Sequence, residues 1–542
     1  MKRIQCGLAL LSIALMHVNS TQAIEVAGEL FVDLDAANVS GTVWSNAGSL
    51  GDFNAVASPT AVNLGGVVPS VIFDGSSAFV SADTAPADIT GVDSTKTIEA
   101  WVFNPAIAGE ETVVSWGHRG GPDGSNLSFN YGSNGAYGAV GHWGGPDLGW
   151  NDAGGAPAPL QWHHLAYTFD GTTTRVYSDG VLMNSEELGA GVINTHAGTQ
   201  IAIASQFEND GVTLTPGLRG SMAISRVRIH DGVLSDAQIM SNYNEEIGSF
   251  PAIYEPPAEP VATALSSGPI HRYSFNNAAA ANAAGATLVD SIGGADGVVR
   301  GAGTSLTGTS LKLSGGTSDS AGYGDLPNGL ISPLTNVTIE GWAVIEGVQN
   351  WQRLFDFGSN EAGEFTDVGG SGNGADYLAL TAARGGEIGQ QRLELRDVES
   401  GVTTTVDSDI ATTVPEAVHF AVTLEENVPV VPGLPEFGTA TKLSHYRNGV
   451  LVAEGTTSIK LSDINDVNNW LGRSNWTGDS NLEGSFDEFR IYDRALSQGE
   501  ILGNIAAGPD SVNVVLPEPN GAFALLAGLA GLSMLKRRRR QK

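Results

Sequence analysis

Two copies of a short motif in the first half of the chain carry side chains that could bind a ligand. Gly117-His118-Arg119-Gly120-Gly121-Pro122-Asp123 is followed, twenty-four residues later, by Gly141-His142-Trp143-Gly144-Gly145-Pro146-Asp147. Histidine and aspartate can hydrogen-bond sugar hydroxyls or bind a metal, and aromatic faces stack on sugar rings. If the strand between the copies returns the chain to the same edge of a sheet, the predicted ligand-binding side chains are His118, Asp123, His142, Trp143, Asp147 and Trp150.

The same motif also has a purely conformational interpretation. Gly-Gly-Pro-Asp is a turn sequence, in which glycine supplies unusual dihedral angles and aspartate hydrogen-bonds its own backbone. Identical turns alone would not need the repeated histidines. Both interpretations, a binding site and a pair of turns, therefore stay open at the level of sequence.

The sequence contains no strand with the carboxylate spacing of a polysaccharide hydrolase. Such an enzyme places two carboxyl groups on opposite sides of the scissile bond, and no Glu-x-Asp-x-Glu pattern occurs. The nearest acidic pair, Asp487-Glu488, occupies adjacent positions, which point to opposite faces of a strand. We therefore predict no catalytic residues and a protein that is not an enzyme.

Composition limits the classes of partner. The chain has 59 acidic and 27 basic residues, a net charge of −32, and 71 glycines. The negative charge argues against nucleic acid and anionic lipid as partners, and the glycine content with few helical periodicities indicates a β-rich protein with many turns. Cys6 is the only cysteine, so no disulfide is expected.

The two halves of the chain contain the same strand motifs in the same order. The matched pairs are residues 97–101 with 338–342, 164–168 with 419–423, and 177–182 with 446–451. The first pair alternates as a strand buried on one face does, and its recurring Glu99 and Glu340 are interpreted as structural. Asp179-Gly180 and Asn448-Gly449, each between apolar runs, predict tight hairpins.

Each half ends in a predicted strand and a short helix, at residues 228–235 and 490–497. Ser235 with Gln238, and Ser497 with Glu500, have the spacing of the capping box, in which the two side chains satisfy free backbone N–H groups. The segment 251–267, rich in proline and alanine, is interpreted as a linker.

These motifs resemble the laminin-G-like, concanavalin A-like jellyroll family. Bacterial members carry a Trp-His-His strand followed by Thr and Asp-Gly, which this chain has at residues 162–171. The resemblance implies an all-β fold, with two concanavalin A-like β-sandwich (jellyroll) domains in tandem at residues 24–250 and 268–508. The second copy lacks the tryptophan before His419 and has an insertion around residues 428–441. Equal function of the two copies is therefore not implied.

Calcium is a candidate ligand through the same resemblance, because related modules often bind it with aspartates and carbonyl groups at the rim of the sandwich. Oxygen-rich loops suit this ion. The candidate residues are Asp179, Asp210 and Asp367, and solvated acidic loops are the alternative interpretation.

The chain begins with a predicted signal peptide, residues 1–23. Lys2 and Arg3 precede an apolar stretch, and small residues up to Ala23 provide a cleavage site for signal peptidase.

The opposite end, residues 514–542, resembles the PEP-CTERM sorting signal. It contains the required elements in order: Pro517-Glu518-Pro519, an apolar run at 521–535, and a basic tail that includes Arg537, Arg538, Arg539 and Arg540. The basic tail is expected to stay cytoplasmic. The resemblance implies a transient inner-membrane helix, cleavage by an exosortase, and export in a Gram-negative bacterium. An uncut membrane anchor is the alternative.

Together these features predict an exported protein of the cell surface or extracellular matrix that binds polysaccharide or other matrix components. The alternatives are a polysaccharide hydrolase or lyase on the same fold, and a purely structural matrix component. The fold class alone does not distinguish them, because one fold hosts many functions.

Overall fold

The computed structural model describes residues 23–151, 155–349, 351–385 and 390–511. These residues form two compact units. The first unit comprises residues 23–256 together with 431–437, and the second comprises 257–430 and 438–511. The boundary between Pro256 and Pro257 falls in a stretch without helix or strand.

The first unit consists of short antiparallel strands and one α-helix, α1 (Asp236–Glu246). Its strands are β1 (Leu30–Ser40), β2 (Val43–Asn46), β3 (Phe53–Val56), β4 (Thr60–Leu64), β5 (Val68–Ile72), β6 (Ala78–Thr84), β7 (Gly91–Val92), β8 (Lys96–Phe103), β9 (Thr112–Gly117), β10 (Asn126–Asn130), β11 (Val140–Gly141), β12 (Trp162–Phe169), β13 (Thr173–Ser178), β14 (Val181–Glu187), β15 (Asn194–Thr195), β16 (Gln200–Ile203) and β17 (Ala223–His230). Short 3₁₀ helices occupy Ala87–Ile89, Pro216–Leu218 and Ile247–Ser249.

The strands of the first unit form two layers. Hydrogen bonds between neighbouring strands run without a break from one layer to the other. One layer has the order β17-β8-β12-β13-β14, and the other has the order β11-β10-β9-β16-β6-β3. β1 connects them, since it pairs with β17 and with β2. Apolar side chains from both layers, including Val102 and Leu165 from one and Val114 and Phe129 from the other, form a single core. This burial between the layers is the main favourable contribution to folding.

The central strand β8 differs from the expectation of a strand buried on one face, because all of its residues are buried. Its second face is covered by the C-terminal segment of the unit. Trp101 stacks on Phe250, with ring centres 3.9 Å apart, and its indole Nε1 donates to Glu246 at 2.8 Å. Helix α1 and the residues after it therefore close the outer side of the sheet.

The second unit contains longer strands and one α-helix, α2 (Gln498–Ala507), with a 3₁₀ helix at Leu461–Asp463. Its strands are β18 (His271–Tyr273), β19 (Thr287–Leu288), β20 (Gly297–Arg300), β21 (Thr304–Leu306), β22 (Leu311–Thr317), β23 (Tyr323–Leu326), β24 (Val337–Ile345), β25 (Arg353–Asn360), β26 (Gly374–Thr381), β27 (Gln390–Asp397), β28 (Val402–Ala411), β29 (Glu416–Val431), β30 (Leu434–Arg447), β31 (Val450–Thr457), β32 (Asn468–Leu471) and β33 (Ser480–Tyr492).

These strands form two antiparallel sheets that enclose a second core. One sheet has the order β21-β22-β33-β24-β29-β30-β31, with β18 also on β33, and the other has the order β19-β20-β23-β32-β25-β26-β27-β28. Phe420 and Phe489 from the first sheet meet Phe355 from the second, with ring centres 6.2 and 6.3 Å apart. The predicted insertion lengthens β29 and β30.

The local motifs take the predicted forms. Asp179 and Asn448 have φ angles of 53° and 52°, in the left-handed region that a tight hairpin needs, and each is followed by a glycine. The hydroxyls of Ser235 and Ser497 accept from the backbone N–H groups of Gln238 and Glu500. Both capping boxes are confirmed.

The two predicted targeting segments lie outside the described residues, apart from Ala23. This holds for the signal peptide at 1–22 and for the sorting signal at 514–542, which includes Pro517 and Arg537. Within the ranges that the structure describes, no helix has the length and apolar composition needed to cross a membrane.

Candidate functional site

The two motif copies lie at the same end of the first unit. β9 ends at Gly117, β10 runs back from Asn126, and β11 returns the chain to Gly141, which pairs with Ser128. The loops that follow β9 and β11 are hydrogen-bonded to each other. The backbone N–H of Gly124 donates to the carbonyl of Trp143 at 3.1 Å, and that of Gly145 donates to Asp123 at 3.3 Å.

A cavity of about 390 Å³ opens beside these loops. Its volume falls within the range of roughly 300–1,000 Å³ of small-molecule sites. Side chains from both loops and from neighbouring strands line it: Glu110, Arg119, Asn126, Tyr137, Trp143, Asp147 and Gln206. This combination of two aromatic rings with donors and acceptors can stack on a sugar ring and hydrogen-bond its hydroxyls.

Trp143 is held in a fixed, half-buried position. Its φ angle is 71°, in the left-handed region, and it is followed by Gly144 with a φ angle of 82°. The guanidinium carbon of Arg119 lies 5.4 Å from the centre of the indole ring, within cation–π range. The turn sequence and the ring are thus part of one arrangement, since the turn directs the indole into the cavity.

Two carboxyl groups line the same cavity. Glu110 accepts from the Gln206 side chain at 2.7 Å, and Asp147 accepts from the backbone N–H of His142 at 2.6 Å. Burial raises the pKa of Asp147 to about 6, and the neighbouring charge of Glu110 contributes in the same direction. Asp147 therefore holds its proton to a higher pH than a solvent-exposed aspartate does.

His142 and Trp150 do not line the cavity, which corrects the expectation that all six side chains converge. The His142 ring is fully buried, with Nε2 3.2 Å from the Tyr167 hydroxyl oxygen, and burial lowers its pKa to about 3. Trp150 is also fully buried, and its indole N–H donates to the carbonyl of Gly138 at 3.1 Å. Both side chains are directed into the core from the end of β11 and the loop after it.

His118 and Asp123 lie in the first loop but outside the cavity lining. The Nδ1 atom of His118 is 3.0 Å from the carbonyl oxygen of Arg119, and its ring centre is 4.3 Å from that of exposed His196. Asp123 is exposed and caps the second loop through Gly145. Of the six predicted ligand-binding residues, the structure places Trp143 and Asp147 at the cavity.

Five of the seven side chains named as lining the cavity were missed by sequence reasoning, among them Asn126 at the start of β10. Arg119 was inside the first motif and could have been chosen for its charge. Glu110, Tyr137 and Gln206 belong to no motif, and they meet there only because β9, β10 and β16 are neighbours.

The three calcium candidates do not form a common site. Asp179 accepts from the backbone N–H of His164 at 3.1 Å and lies 2.7 Å from His163 Nδ1, and Asp210 caps its own turn through Thr213. Asp367 accepts from the adjacent Val368 N–H at 2.8 Å. Across the described part of the chain, no group of three or more His, Cys, Asp or Glu side chains could hold a metal ion.

Within the acidic pair Asp487-Glu488, the two side chains differ in burial, with Asp487 half-buried and Glu488 in the interior of the second unit. Glu488 is fully buried and accepts from Arg272 Nε at 2.6 Å and from Arg490 Nε at 2.7 Å. Its carboxylate is used by these two arginines, as expected for a buried charge that must be paired.

Comparison with known proteins identifies the family. The family model described as the concanavalin A-like lectin/glucanases superfamily matches residues 74–240 and 318–502, more than half of the chain. No curated protein matches the chain in sequence. Among solved structures, the chain is similar to domain 4 of an extracellular arabinanase from Geobacillus stearothermophilus in complex with arabinotriose. The sequence identity is 18%, the match covers 40% of this chain and 99% of that chain, and the TM-score is 0.30.

A second similar structure is the CBM40 domain of an IT-sialidase from Ruminococcus gnavus bound to α2,3-sialyllactose. It is 21% identical, the match covers 32% of this chain and 84% of that chain, and the TM-score is 0.25. With the family match in two regions, the chain belongs to the concanavalin A-like lectin/glucanase superfamily.

Proposed function

We propose that this chain is an exported protein of the cell surface or extracellular matrix that binds carbohydrate without cleaving it. The cavity in the first unit carries this proposal. Trp143, fixed by Arg119, supplies a stacking surface, and Tyr137, Asn126 and Gln206 supply further contacts. A ring that is already fixed loses little conformational freedom when a ligand stacks on it, which favours binding.

The charge of the protein supports an uncharged ligand. A net charge of −32 repels polyanions at a distance and disfavours nucleic acid and anionic lipid. Neutral polysaccharide or other neutral matrix polymers are therefore the proposed partners.

The proposed route of export depends on the two ends of the sequence. Signal peptidase would cut after Ala23, and an exosortase would act near Pro517-Glu518-Pro519 after the apolar run enters the inner membrane. The product would then remain at the surface of a Gram-negative cell or enter the surrounding matrix.

A polysaccharide hydrolase is the second candidate function, and one observation favours it. Glu110 and Asp147 line one cavity, and the raised pKa of Asp147 would suit a general acid. However, both carboxyl groups are engaged, Glu110 by Gln206 and Asp147 by its own turn. We therefore place binding ahead of hydrolysis.

The experiment that separates these functions measures binding and cleavage together. The purified protein is mixed with a panel of neutral and acidic polysaccharides, with and without calcium, and the bound fraction and the soluble reducing ends are measured. Saturable binding to neutral polymers without new reducing ends supports the proposal. New reducing ends that disappear in Asp147→Asn would establish the hydrolase instead, and neither binding nor cleavage would leave a structural role in the matrix.

A further inference from the structure

The second unit contains a cavity of its own, of about 310 Å³, formed by residues that belong to no sequence motif. β25, β26 and β27 are neighbours in one sheet, and the loop between β32 and β33 completes the wall. The lining side chains that matter here are Trp351, Tyr377, Arg392, Glu394, Trp476 and Asp479. On β27, Arg392 and Glu394 alternate with the buried core residues Leu393 and Leu395, so the cavity lies on the sheet face that points away from the core.

Both tryptophans are fixed although they are only half-buried. The guanidinium carbons of Arg353 and Arg392 lie 5.7 and 5.6 Å from the centre of the Trp351 ring. The Trp476 indole N–H donates to the Tyr377 hydroxyl at 3.1 Å. These contacts hold the two rings in place at a position where the core does not need them. Fixed, partly exposed aromatic rings are suitable platforms for a sugar ring.

The charges around this cavity are already paired. Arg392 donates to both oxygens of Asp407, at 2.6 and 2.9 Å, and Arg353 lies 3.4 Å from Asp356 and from Asp479. Each lining arginine therefore faces a carboxylate. The carboxylates of Asp356, Asp407, Glu394 and Asp479 outnumber the guanidinium groups of Arg353, Arg392 and Arg396, the last of which lies 5.5 Å from the centre of the Trp476 ring, so the local charge disfavours an anionic sugar.

Hydrogen-bond acceptors remain available to a ligand. Glu394 accepts from the Tyr377 hydroxyl through one oxygen, and its other oxygen lies 3.7 Å from Arg392, beyond hydrogen-bonding distance. One oxygen of Asp479 accepts from Ser474 at 2.8 Å, and its other oxygen accepts no hydrogen bond from the described residues. Glu394 and Asp479 both line the cavity, so a sugar bound there can donate hydroxyl groups to their carboxylates, and such charge-assisted bonds are strong.

We infer that this cavity is a second carbohydrate site, which binds one or two neutral sugar residues by stacking on Trp351 and Trp476 and by accepting hydroxyl groups at Glu394 and Asp479. The inference extends the proposed carbohydrate-binding function to a separate site, with its own residues and a narrower ligand class. Its cavity volume is at the lower end of the range for small-molecule sites, which suits a short stretch of sugar chain.

The test is isothermal titration of the full chain with neutral hexasaccharides of glucose, xylose, arabinose and mannose, and with hexagalacturonate as the acidic comparison. We expect at least one neutral hexasaccharide to bind and hexagalacturonate not to bind. Trp351→Ala and Trp476→Ala should each weaken binding at this site about tenfold or more, because each removes a stacking surface. Glu394→Gln keeps the shape of the side chain and should weaken binding several-fold.

The matched control is Trp143→Ala, which removes a half-buried tryptophan from the cavity of the first unit. Loss of one binding event in Trp351→Ala, with that same event retained in Trp143→Ala, supports the second site, whether or not Trp143→Ala loses a separate event at the first-unit site. The reverse pattern overturns this inference and leaves the proposed function intact. Thermal unfolding of each variant shows whether it is folded. If a tryptophan variant does not fold, the binding measured for Glu394→Gln serves as the test instead. Binding of hexagalacturonate in preference to every neutral hexasaccharide, or no binding of any neutral hexasaccharide by the folded wild type, also overturns the inference.

Discussion

The guanidinium carbon of Arg119 lies 5.4 Å from the centre of the Trp143 ring, so the two copies of the repeated motif meet through one side chain from each. The two side chains occupy the same position of the motif, between the histidine and the first glycine. One copy supplies the cation and the other supplies the ring that faces the cavity. The histidines that first suggested a site have other roles, in the core for His142 and beside His196 for His118.

Replacing Arg119 by lysine keeps the positive charge but removes the planar group that lies over Trp143. We expect the ring to become more mobile and carbohydrate binding to weaken by roughly twofold to fivefold, in line with cation–π energies of about 0.5–1 kcal/mol at exposed sites. Fluorescence anisotropy of the tryptophans and a binding titration measure the two effects. His196→Ala is the control, because it removes an exposed ring outside the cavity. An equal loss of binding in the control would contradict the assignment.

Asp147→Asn should stabilise the fold above pH 6 and have little effect below pH 3.8. Burial raises the pKa of Asp147 from 3.8 to about 6, so the folded state binds more protons than the unfolded state between these values. The stability of the wild type therefore falls as pH rises through this window, and the asparagine variant avoids that loss. Melting temperatures at pH 3.5, 5 and 7 check this. A stabilisation that is the same at all three pH values would show that proton linkage is not the cause.

Much of the fold could be predicted from the sequence because its signals are local. The hairpins need a left-handed residue before glycine, as at Asp179 and Asn448, and the capping boxes need a residue pair three apart, as at Ser235 and Gln238. The side of a strand that faces the core is a property of the packed sheets. For that reason the burial of His142 did not follow from its motif.

The cavity of the second unit was outside the reach of sequence reasoning for a related reason. Trp351 and Trp476 are far apart in the chain and share no repeated pattern, and the sheet order alone brings them together. The repeated motif of the first half has no counterpart in the sequence of the second half. The second cavity is built from different residues at a different place.

Lys96→Met should raise the stability of the protein at neutral pH by roughly 2–4 kcal/mol, since each unit of pKa shift corresponds to about 1.4 kcal/mol and local relaxation reduces the total. Lys96 is fully buried, and its Nζ lies 6.0 Å from the ring centre of Trp116 and 5.6 Å from that of Phe169. Burial lowers its pKa from 10.5 to about 7.

The sign of the pH dependence gives a sharper test of Lys96. Between pH 7 and 10.5 the unfolded chain binds the proton that the folded chain has lost, so wild-type stability rises with pH in this window. The advantage of the methionine variant should therefore be largest at pH 7 and below, and it should fade toward pH 10. Urea unfolding at these pH values measures it, and a constant advantage would contradict the expectation.

Glu99→Ala should destabilise the protein by about 3–5 kcal/mol, the typical result of breaking a buried charged network. The Glu99 carboxylate lies 3.3 Å from His164 Nε2 and 3.2 Å from His230 Nε2, and it accepts from Asn242 at 3.0 Å. Removal of this carboxylate leaves the buried side chains of His164, His230 and Asn242 without their anionic partner. Glu340 has the equivalent position in the second unit, with His419 at 2.9 Å, so Glu340→Ala is the parallel variant. Denaturant titration monitored by fluorescence gives both values.

The pH dependence of Glu99 has the same sign as that of Lys96 but lies in a more acidic window, and it is opposite to that of Asp147. Burial alone would raise the pKa of Glu99, but the neighbouring imidazoles of His164 and His230 lower it below its usual value of 4.5. The stability that this carboxylate provides is present above pH 4.5 and is lost as pH falls toward the lower pKa of the folded state. Glu99→Gln should therefore differ most from the wild type at neutral pH. A difference that grows in acid would rule out this role.

Isothermal titration of the full chain and its Trp143→Ala variant with neutral polysaccharide, with reducing ends measured in the same samples, tests the function most directly. We predict saturable binding by the wild type, a loss of about tenfold or more at the first-unit site in the variant, and no new reducing ends. Equal binding by both folded proteins at every site would contradict the assignment of the cavity to carbohydrate, and new reducing ends would contradict a binding role without cleavage.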